Sequence, residues 1–482
     1  MFIILFPLTL NIRAQGTDDN YMVLDNGLVV LMRPGPGSGL VCLMALVEAG
    51  STTEAEYLGS GISHFVEHML FKGTPSRGVG VIPAQVKSYG GDMNAWTSFD
   101  STGYRIVVLK EYLRSAAEVL ADALQNPLFD PIELEKERQV ILREINLNQD
   151  DPDRRISRLL FSSAYEKHFY KYPVIGYKDI FEKLTRDNLV NYHQRLYRPD
   201  NIVLALTGDF DPRTAREYIK NIFGKWSKAA NAPVLAVSPE PVQSAMRKVI
   251  NTAAVQTCYL EIGFHGPALR NEDLFPMDVL AHILGGDKES RIYKLLVDKK
   301  QLASSVNCWS YTPKDKGLFG FDIRFTQNKN LDRIVEVILN QINRVIKKGV
   351  KSKEIKRAQR QILSDYVWGL ETAVNQARDM CSSYVLTQNP DFFQTYIEGI
   401  NNVTSKGIVK AAKKYLRSDN LTQVSIIPRT DIPEKLKPAL EKSRKKQARQ
   451  LLTRLADIRA GFNVKDEGKN KIFSKREILK VV

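Results

Sequence analysis

The segment "GISHFVEHML", residues 61–70, carries two histidines and a glutamate at a spacing that can bind a metal ion. On a helix, His64 and His68 are one turn apart on one face, so both imidazoles can reach a single cation. Glu67 falls on the same face, where it can accept a proton from an attacking water without being a ligand. The apolar residues also recur at helical spacing: Ile62, Phe65, Val66, Met69 and Leu70. The segment therefore predicts an amphipathic helix that carries part of a zinc site.

A third ligand must come from elsewhere, because hydrolytic zinc sites normally take three protein ligands and leave one position for water. The segment "DPIELEKERQVILREINLNQDD" offers two candidates on one predicted helix over 131–149. Asp130 suits its N-cap and Pro131 its first position. Glu137 and Glu144 are seven residues apart and share a face. The residues alone leave the choice between them open.

The alternative is an exposed helix with incidental histidines and a glutamate-rich helix that is merely solvated. The chain has only six histidines in 482 residues, so the His-x-x-Glu-His spacing is uncommon by chance. The metal-site interpretation is therefore the stronger one.

Three pairs of similar segments indicate that the chain contains a duplicated domain. They recur in the same order at nearly equal offsets, which is stronger than any single match. The pairs are "CLMALVEAG" with "CYLEIGFHG", "HML" with "HIL", and "YRPDNIVLAL" with "LRSDNLTQVS". With "WSKAANAPVLAVSPEPVQSA" as the linker between the copies, the predicted domains are 17–235 and 236–430. In each copy, strand-like runs precede long helices such as 329–348, which predicts an α+β fold with an antiparallel sheet and helices on one face.

The two ends of the chain carry separate predictions. The apolar run "MFIILFPLTL" predicts a signal peptide over 1–14 and hence an exported, periplasmic protein. Because basic residues before the run are missing, a wrong start or a buried strand, with a cytoplasmic protein, is the alternative. Residues 434–482 hold 15 basic and six acidic residues, so the tail 431–482 supplies most of the net charge of +15. We expect this tail to be a solvated basic helix or a segment that binds an acidic partner, and we expect no nucleic-acid module.

No stretch of the chain reaches the roughly 18 apolar residues that a membrane span needs, so no transmembrane segment is expected.

The four cysteines are scattered without a C-x-x-C pair and are predicted to be small core residues, although sequence leaves a disulfide open. They are Cys42, Cys258, Cys308 and Cys381.

"HFVEHMLFKGT" together with "ERQVILREI" resembles the inverted-zincin peptidases of family M16, in which a glutamate follows the His-x-x-Glu-His motif by about 76 residues. "GGDMNAWTSFDSTGYRIVV" and "YRPDNIVLALTGDFDP" resemble further segments of that family, and the resemblance spans residues 20–430. It implies two homologous α/β-roll domains with LuxS/MPP-like metallohydrolase architecture, of which the second has no metal site.

The resemblance also implies roles for individual residues. His64, His68 and Glu144 would bind one Zn²⁺ per chain, Glu67 would be the general base, and Glu137 would steady a histidine ligand. An edge strand would bind an extended peptide substrate by backbone hydrogen bonds. Its residues are Asn94, Ala95, Trp96 and Thr97. The implied activity is a zinc-dependent endopeptidase that cuts peptides and small unfolded proteins in a closed chamber.

One departure from the family matters. Active members carry an arginine and a tyrosine in the second domain that reach the substrate, but "KLLVDKKQLASSVNC" has Val297 and Ser304 at those positions. Arg291 and Tyr293 lie too early in the chain to replace them and are predicted to be structural. We therefore expect a heterodimer with a homologous subunit that supplies the Arg/Tyr pair. The alternative is a non-catalytic peptide-binding or scaffold subunit.

In the second copy, the positions equivalent to His64 and Glu67 are Asp278 and Ala281. The second copy therefore lacks both the histidine ligand and the glutamate base at these positions, and a second metal site is not expected.

Overall fold

The computed structural model describes residues 20–35, 37–227, 238–429 and 445. The predicted signal peptide, 1–14, and all of the basic tail except Lys445 lie outside these residues, so the predictions made for them stay predictions. Within the described ranges, no helix combines the length and the apolar composition that crossing a bilayer requires.

The described residues form strands and helices that alternate in two successive halves. The strands are β1 Tyr21–Val23, β2 Val29–Pro34, β3 Leu40–Val47, β4 Asp92–Thr97, β5 Thr102–Leu109, β6 Ile202–Gly208, β7 Arg247–Ala253, β8 Cys258–His265, β9 Ser305–Tyr311, β10 Leu318–Phe325 and β11 Leu421–Pro428. The helices are α1 Ile62–Leu70, α2 Val81–Ser88, α3 Leu113–Gln125, α4 Pro131–Asp150, α5 Pro152–Ala164, α6 Lys178–Phe181, α7 Arg186–Leu196, α8 Pro212–Phe223, α9 Leu274–Gly285, α10 Arg291–Tyr293, α11 Leu331–Lys348, α12 Ser352–Gly369, α13 Ala373–Thr387, α14 Phe392–Asn401 and α15 Ser405–Tyr415.

The two halves build equivalent sheets. The first has the strand order β1-β2-β6-β3-β5-β4 and the second β7-β11-β8-β10-β9. The repeated segments fall on equivalent elements, namely β3 and β8, α1 and α9, and β6 and β11. The predicted duplicated α+β fold is confirmed. In one detail the sheets differ from the expected antiparallel pattern, because β2 pairs with β6, and β7 with β11, in parallel.

Strand β3 shows how both faces of the first sheet are buried. Its side chains alternate between faces, as the pleat requires. Leu43 packs in the large core under the helices of the first half, whereas Cys42 and Met44 face the opposite side. The near-continuous apolar run of β3 therefore reflects burial on two faces.

The second face of each sheet is covered by a helix from the other half. On the first sheet, α13 packs Met380 and Cys381 against the face that carries Met44. On the second sheet, α5 packs Leu160 against β11, in the cluster that contains Val424. In each half the expected helices cover one face of the sheet, and the exchanged helix covers the other, which was not predicted. A sheet with two apolar faces needs a cover on both, and sequence does not show where the second cover originates.

The cysteine prediction is confirmed, because all four side chains are buried and unbridged. Burial in the apolar interior raises the pKa of the Cys42 thiol to about 12, so this thiol stays protonated at neutral pH.

A tryptophan covers a glycine in each half. Trp96 of β4 pairs directly with Gly103 of β5, and Trp309 of β9 pairs with Gly320 of β10. The indole lies so close over each glycine that an added Cβ would come within 2.2 Å of Trp96 or 2.3 Å of Trp309. The guanidinium of Arg378, from α13, lies 4.5 Å from the centre of the Trp96 ring on the exchanged-helix side. Contacts with Gly103 and with Arg378 therefore hold the Trp96 side chain of the edge strand β4 in place.

We predict that Gly103→Ala lowers the free energy of unfolding by about 1–3 kcal/mol, because the new methyl group must displace the Trp96 indole. Chemical denaturation followed by tryptophan fluorescence measures the change. Gly78→Ala is the matched control, since Gly78 is exposed and has no atom within 4 Å of an added Cβ. Equal stability of the two variants would contradict the assigned packing.

Candidate metal centre

Helix α1 is held in place at its first turn by a glycine that no other residue could replace without movement. Gly61 has a φ of 73°, in the left-handed region, and an added Cβ would lie 2.3 Å from the carbonyl oxygen of Ile175. From this start, Phe65 and Met69 point into the core of the first half. The histidines His64 and His68 lie on the other side of α1, with their ring centres 4.6 Å apart.

Helix α4 begins as predicted, with the Asp130 carboxylate accepting hydrogen bonds from the backbone N–H groups of Ile132 and Glu133. Arg138 connects α4 to α1, because its guanidinium lies 5.4 Å from the centre of the Phe65 ring and donates to the carbonyl oxygen of Leu184 at 2.7 Å. This contact sets the position along α1 at which α4 crosses it.

The crossing brings three potential metal ligands together. The Glu144 Oε2 atom lies 3.8 Å from His64 Nε2 and 4.0 Å from His68 Nε2. Within the described ranges, this is the one place where three such side chains converge, each offering a donor atom within 4.8 Å of the others. Glu144, and not Glu137, is thus the carboxylate that faces both imidazoles.

Glu137 instead contacts His68 from behind. His68 Nδ1 and Glu137 Oε2 are 3.0 Å apart, and Lys72 Nζ lies 2.6 Å from Glu137 Oε1. The hydrogen bond with His68, supported by Lys72, lowers the pKa of the Glu137 carboxyl to about 2. An ionised Glu137 fixes the proton of His68 on Nδ1 and leaves Nε2 free to face the cavity.

The two histidines are supported differently. Burial, with the neighbouring His68 charge adding to it, lowers the pKa of His64 to about 3, so this imidazole is neutral at physiological pH. A neutral imidazole is the form that binds a metal ion. The Nδ1 atom of His64 is buried and has no hydrogen-bond partner among the described residues. His64 thus lacks the carboxylate support that Glu137 gives to His68.

Glu67 lies beside this group and is held by Thr97. The Thr97 hydroxyl donates to Glu67 Oε2 at 2.6 Å. Burial raises the pKa of Glu67, the nearby Glu144 charge acts in the same direction, and the Thr97 hydrogen bond and the His68 charge oppose it. A carboxylate whose pKa is raised is a stronger proton acceptor than an ordinary one.

The four residues predicted to bind substrate all lie on β4, at the edge of the first sheet. Among the described strands, β4 pairs with β5 alone, so its other side can accept a further strand. Alternation along β4 gives the side chains different surroundings. Ala95 packs on the core side, Trp96 faces α13, and Thr97 contacts Glu67. The Thr97 side chain thus orients Glu67, another predicted site residue. Asn94, three residues earlier on β4, pairs with Arg105 of β5.

A cavity of about 520 Å³ opens beside the three converging side chains. Its walls come from α1, α4, α5 and the loop around Pro173, and His64 and Glu144 lie in its lining. A space of this size is in the range of small-molecule and peptide side-chain sites.

The positions that lack the Arg/Tyr pair have ordinary structural contacts. Val297 packs against the core of the second half, and the Ser304 hydroxyl donates to the carbonyl oxygen of Arg324 at 3.1 Å. Arg291 makes two hydrogen bonds with the carboxylate of Glu354, at 2.6 and 2.7 Å. Its contact is a bidentate ion pair within the second half, in keeping with the structural role that the sequence suggested.

Helix α9 occupies the equivalent place to α1 in the second half. The Asp278 carboxylate accepts a hydrogen bond from the Tyr396 hydroxyl at 2.9 Å, and Ala281 is part of the core. His282 Nε2 lies 3.5 Å from Asp287. These side chains are therefore engaged in structural contacts.

Glu54 holds the start of α1 in place, and no sequence pattern indicated this role. It is fully buried and accepts hydrogen bonds from the backbone N–H of Gly59 and from both the N–H and the hydroxyl of Ser63. Ser63 in turn contacts the Tyr192 hydroxyl at 2.8 Å. The two glutamates of "STTEAEYLGSG", Glu54 and Glu56, carry no spacing signal that distinguishes them, so the burial of Glu54 could not be inferred.

The donor set suits Zn²⁺, for which two imidazole nitrogens and one carboxylate oxygen are common ligands at catalytic sites. Ligands 2.0–2.2 Å from a tetrahedral ion lie about 3.3 Å apart, so the observed separations need only small side-chain rotations. His64, which is neutral, and His68, which Glu137 orients, can each offer a ring nitrogen to the ion. The residues therefore fit the ion.

A duplicated α+β chain in which two histidines and one glutamate converge, with a second glutamate beside them, belongs to the class of proteins able to hold a divalent cation beside a general base. Two family models match it: Insulinase (Peptidase family M16) over residues 36–178, and Peptidase M16 inactive domain over residues 183–362. Together they cover more than half of the chain. The chain belongs to peptidase family M16.

Its relatives include named zinc proteases. The uncharacterized zinc protease YmxG of Bacillus subtilis is 27% identical over 394 residues, covering 82% of this chain and 95% of that protein. The mitochondrial-processing peptidase subunit beta of Lentinula edodes is 27% identical over 409 residues, covering 82% and 86%. The crystal structure of a protease from Helicobacter pylori matches with a TM-score of 0.80 at 26% identity, covering 85% of this chain and 99% of that one.

We predict that Glu54 makes stability depend on pH. Burial raises its pKa from 4.5 to about 8, so its contribution to stability is complete below pH 4.5 and is lost as the pH rises towards 8. Glutamine does not titrate. The stability of Glu54→Gln relative to wild type should therefore rise by about 1.4 kcal/mol per pH unit in this window.

Chemical denaturation at pH 5, 6, 7 and 8, with a chelator present to remove metal effects, measures this difference. The substitution also exchanges one acceptor for an amide donor, which adds an offset that does not vary with pH. A difference between the two proteins that stays constant across the four pH values would refute the assigned titration.

Proposed function

We propose that this chain is a zinc-dependent endopeptidase that cuts peptides and small unfolded proteins. The observation that carries the proposal is the convergence of His64, His68 and Glu144 on one point, with Glu67 beside them. The names of the zinc-protease relatives support it. A scaffold subunit would not require a complete set of ligands and a general base to be kept together.

In this proposal each side chain has one task. His64, His68 and Glu144 would hold the zinc ion, and a bound ion would supply Lewis acidity at this point. Glu67 Oε1 or Oε2 accepts the proton of the attacking water and returns it to the leaving amine. Thr97 orients Glu67 for this transfer through its 2.6 Å hydrogen bond. Glu137 positions His68 and does not touch the substrate.

The substrate would bind in an extended conformation along β4. Its backbone would pair with the open side of the strand, next to Thr97 and therefore next to the general base. Backbone pairing of this kind is insensitive to sequence and suits an enzyme that accepts many unfolded peptides. Asn94 and Ala95, earlier on the same strand, would extend the pairing away from the cleavage point.

Cleavage would also need an oxyanion donor that this chain does not offer at Val297 and Ser304. We propose that a homologous subunit supplies an arginine and a tyrosine there, and that the two subunits close around the substrate. A relative named as a subunit of the mitochondrial-processing peptidase supports this pairing. We further propose that the heterodimer is exported to the periplasm, on the evidence of the leader sequence.

We predict that Glu67→Gln abolishes peptide hydrolysis while leaving zinc binding intact. Glutamine keeps the shape and can still contact Thr97, but it cannot accept the proton, and removal of a general base costs at least 10²- to 10⁴-fold in rate. The assay mixes the chain with a homologous subunit that carries the Arg/Tyr pair and follows cleavage of an internally quenched peptide. Metal content is measured on the same samples.

Glu336→Gln is the matched control, because Glu336 lies on α11 outside the candidate site. It should cleave at the wild-type rate. If zinc-loaded wild type with the partner subunit cleaves no peptide, the peptidase proposal is wrong and the scaffold alternative takes its place. Cleavage by Glu67→Gln at the wild-type rate would exclude Glu67 as the base.

We predict that the two glutamates of α4 differ in their effect on zinc. Glu144→Gln removes a ligand and should leave less than stoichiometric zinc after dialysis, whereas Glu137→Gln should weaken zinc affinity by about 10- to 100-fold, as expected for a group that orients a ligand. Competition with a chromogenic chelator measures both affinities. Equal losses in both variants, or a larger loss for Glu137→Gln, would contradict the assignment.

A further inference from the structure

Helix α5 carries an arginine beside the metal centre that no acidic residue neutralises. Four residues of α5 line the cavity, namely Asp153, Arg154, Ser157 and Arg158. On the other side of the helix, Ile156 and Leu160 pack against the second sheet. Among the described residues, Arg158 has no ion pair and no side-chain hydrogen bond. The neighbouring Arg154 does have partners, since its guanidinium contacts Asn148 and lies 3.8 Å from the carboxylate of Asp151.

Arg158 is partly buried, and burial lowers the pKa of its guanidinium from the usual value. An arginine nevertheless stays charged in proteins. Holding an unpaired charge away from water costs free energy unless an anion compensates it. An anion bound beside Arg158 would therefore offset part of this cost.

The surroundings of Arg158 show where that anion would lie. A second cavity of about 190 Å³ adjoins the first, and Ser157, Arg158 and Pro173 line both. Its remaining walls are mostly aromatic, from Phe99, Phe161 and Tyr172. Arg158 thus stands between the space at His64 and Glu144 and an apolar space beyond it.

The nearby acidic groups do not compete for Arg158. Asp153, in the lining of the first cavity, pairs with Arg324 of the second half. Glu144 faces the two histidines. An incoming carboxylate would therefore meet an uncompensated guanidinium, and a planar guanidinium binds a carboxylate through two parallel hydrogen bonds.

We propose that Arg158 binds a carboxylate of the peptide substrate and makes the enzyme prefer acidic peptides near the cleavage point. This inference rests on the proposed peptidase function and names the substrate class of the same site. Because the second cavity continues past Arg158, the chain can run on beyond it, and an internal Asp or Glu side chain suits the geometry better than a C-terminal carboxylate.

The test uses internally quenched peptides that differ at one residue near the cleaved bond, Glu, Gln or Lys, each with a free or an amidated C-terminus. The full chain is assayed with the homologous subunit that carries the Arg/Tyr pair. Wild type should cleave the Glu peptides about 10- to 100-fold more efficiently than the Gln peptides, mainly through KM, as expected for a charge-assisted hydrogen bond. Arg158→Gln should remove this preference, and Arg158→Glu should reverse it towards a Lys peptide.

Two controls keep the result specific. Arg213→Gln, on the exposed surface of α8, should keep the preference for Glu peptides. The zinc content of the Arg158 variants should match wild type, because Arg158 is not among the three converging ligands. Arg158→Gln should be no less stable than wild type, because the substitution removes a partly buried charge without an ion-pair partner among the described residues. A preference that follows the free C-terminus and not the internal residue would assign the carboxylate to the chain end and still support the role of Arg158.

Binding separates this inference from the proposed function. Anisotropy of a labelled Glu peptide is measured on Glu67→Gln and on the double variant Glu67→Gln/Arg158→Gln. If nothing is cleaved but binding depends on Arg158, the peptidase proposal fails and the carboxylate site stands. If peptides are cleaved but Glu and Gln peptides are treated alike by wild type, the inference is wrong and the peptidase proposal stands.

Discussion

The crossing of α1 and α4 is the contact on which the metal centre depends. Each helix carries only part of the donor set, and neither part would bind zinc well alone. The crossing is fixed by apolar packing around Phe65 and by Arg138, which bridges to the backbone beyond α4. Polar groups at the site are then placed by this packing, since a shift of one turn along α4 would move Glu144 away from both imidazoles.

A layered set of hydrogen bonds refines that placement. Glu137 orients His68, Thr97 orients Glu67, and Glu54 holds the backbone where α1 starts. The three supporting groups come from α4, from the sheet edge and from the segment before α1. Their convergence means that sheet, loop and helix must fold before the site has its final geometry, so the site reports on the integrity of the whole first half.

The sequence indicated the parts of the site that follow local rules. Periodicity placed His64 and His68 on one face, the Asp-Pro pair marked the start of α4, and repeated segments revealed the duplication. Spacing alone could not choose between Glu137 and Glu144, because both share a helix face and only the crossing of α1 decides which one meets the imidazoles. Glu54 and the position of Arg158 also depend on contacts between distant segments, for which one sequence holds no periodic signal.

The exchange of α5 and α13 has a consequence for how the chain can be divided. Each half lends the other a lid for a hydrophobic face, so an isolated first half would leave Cys42 and Met44 bare, and an isolated second half would do the same at Val424. Fragments made by dividing the chain between the two sheets should accordingly be insoluble apart yet reassociate when mixed.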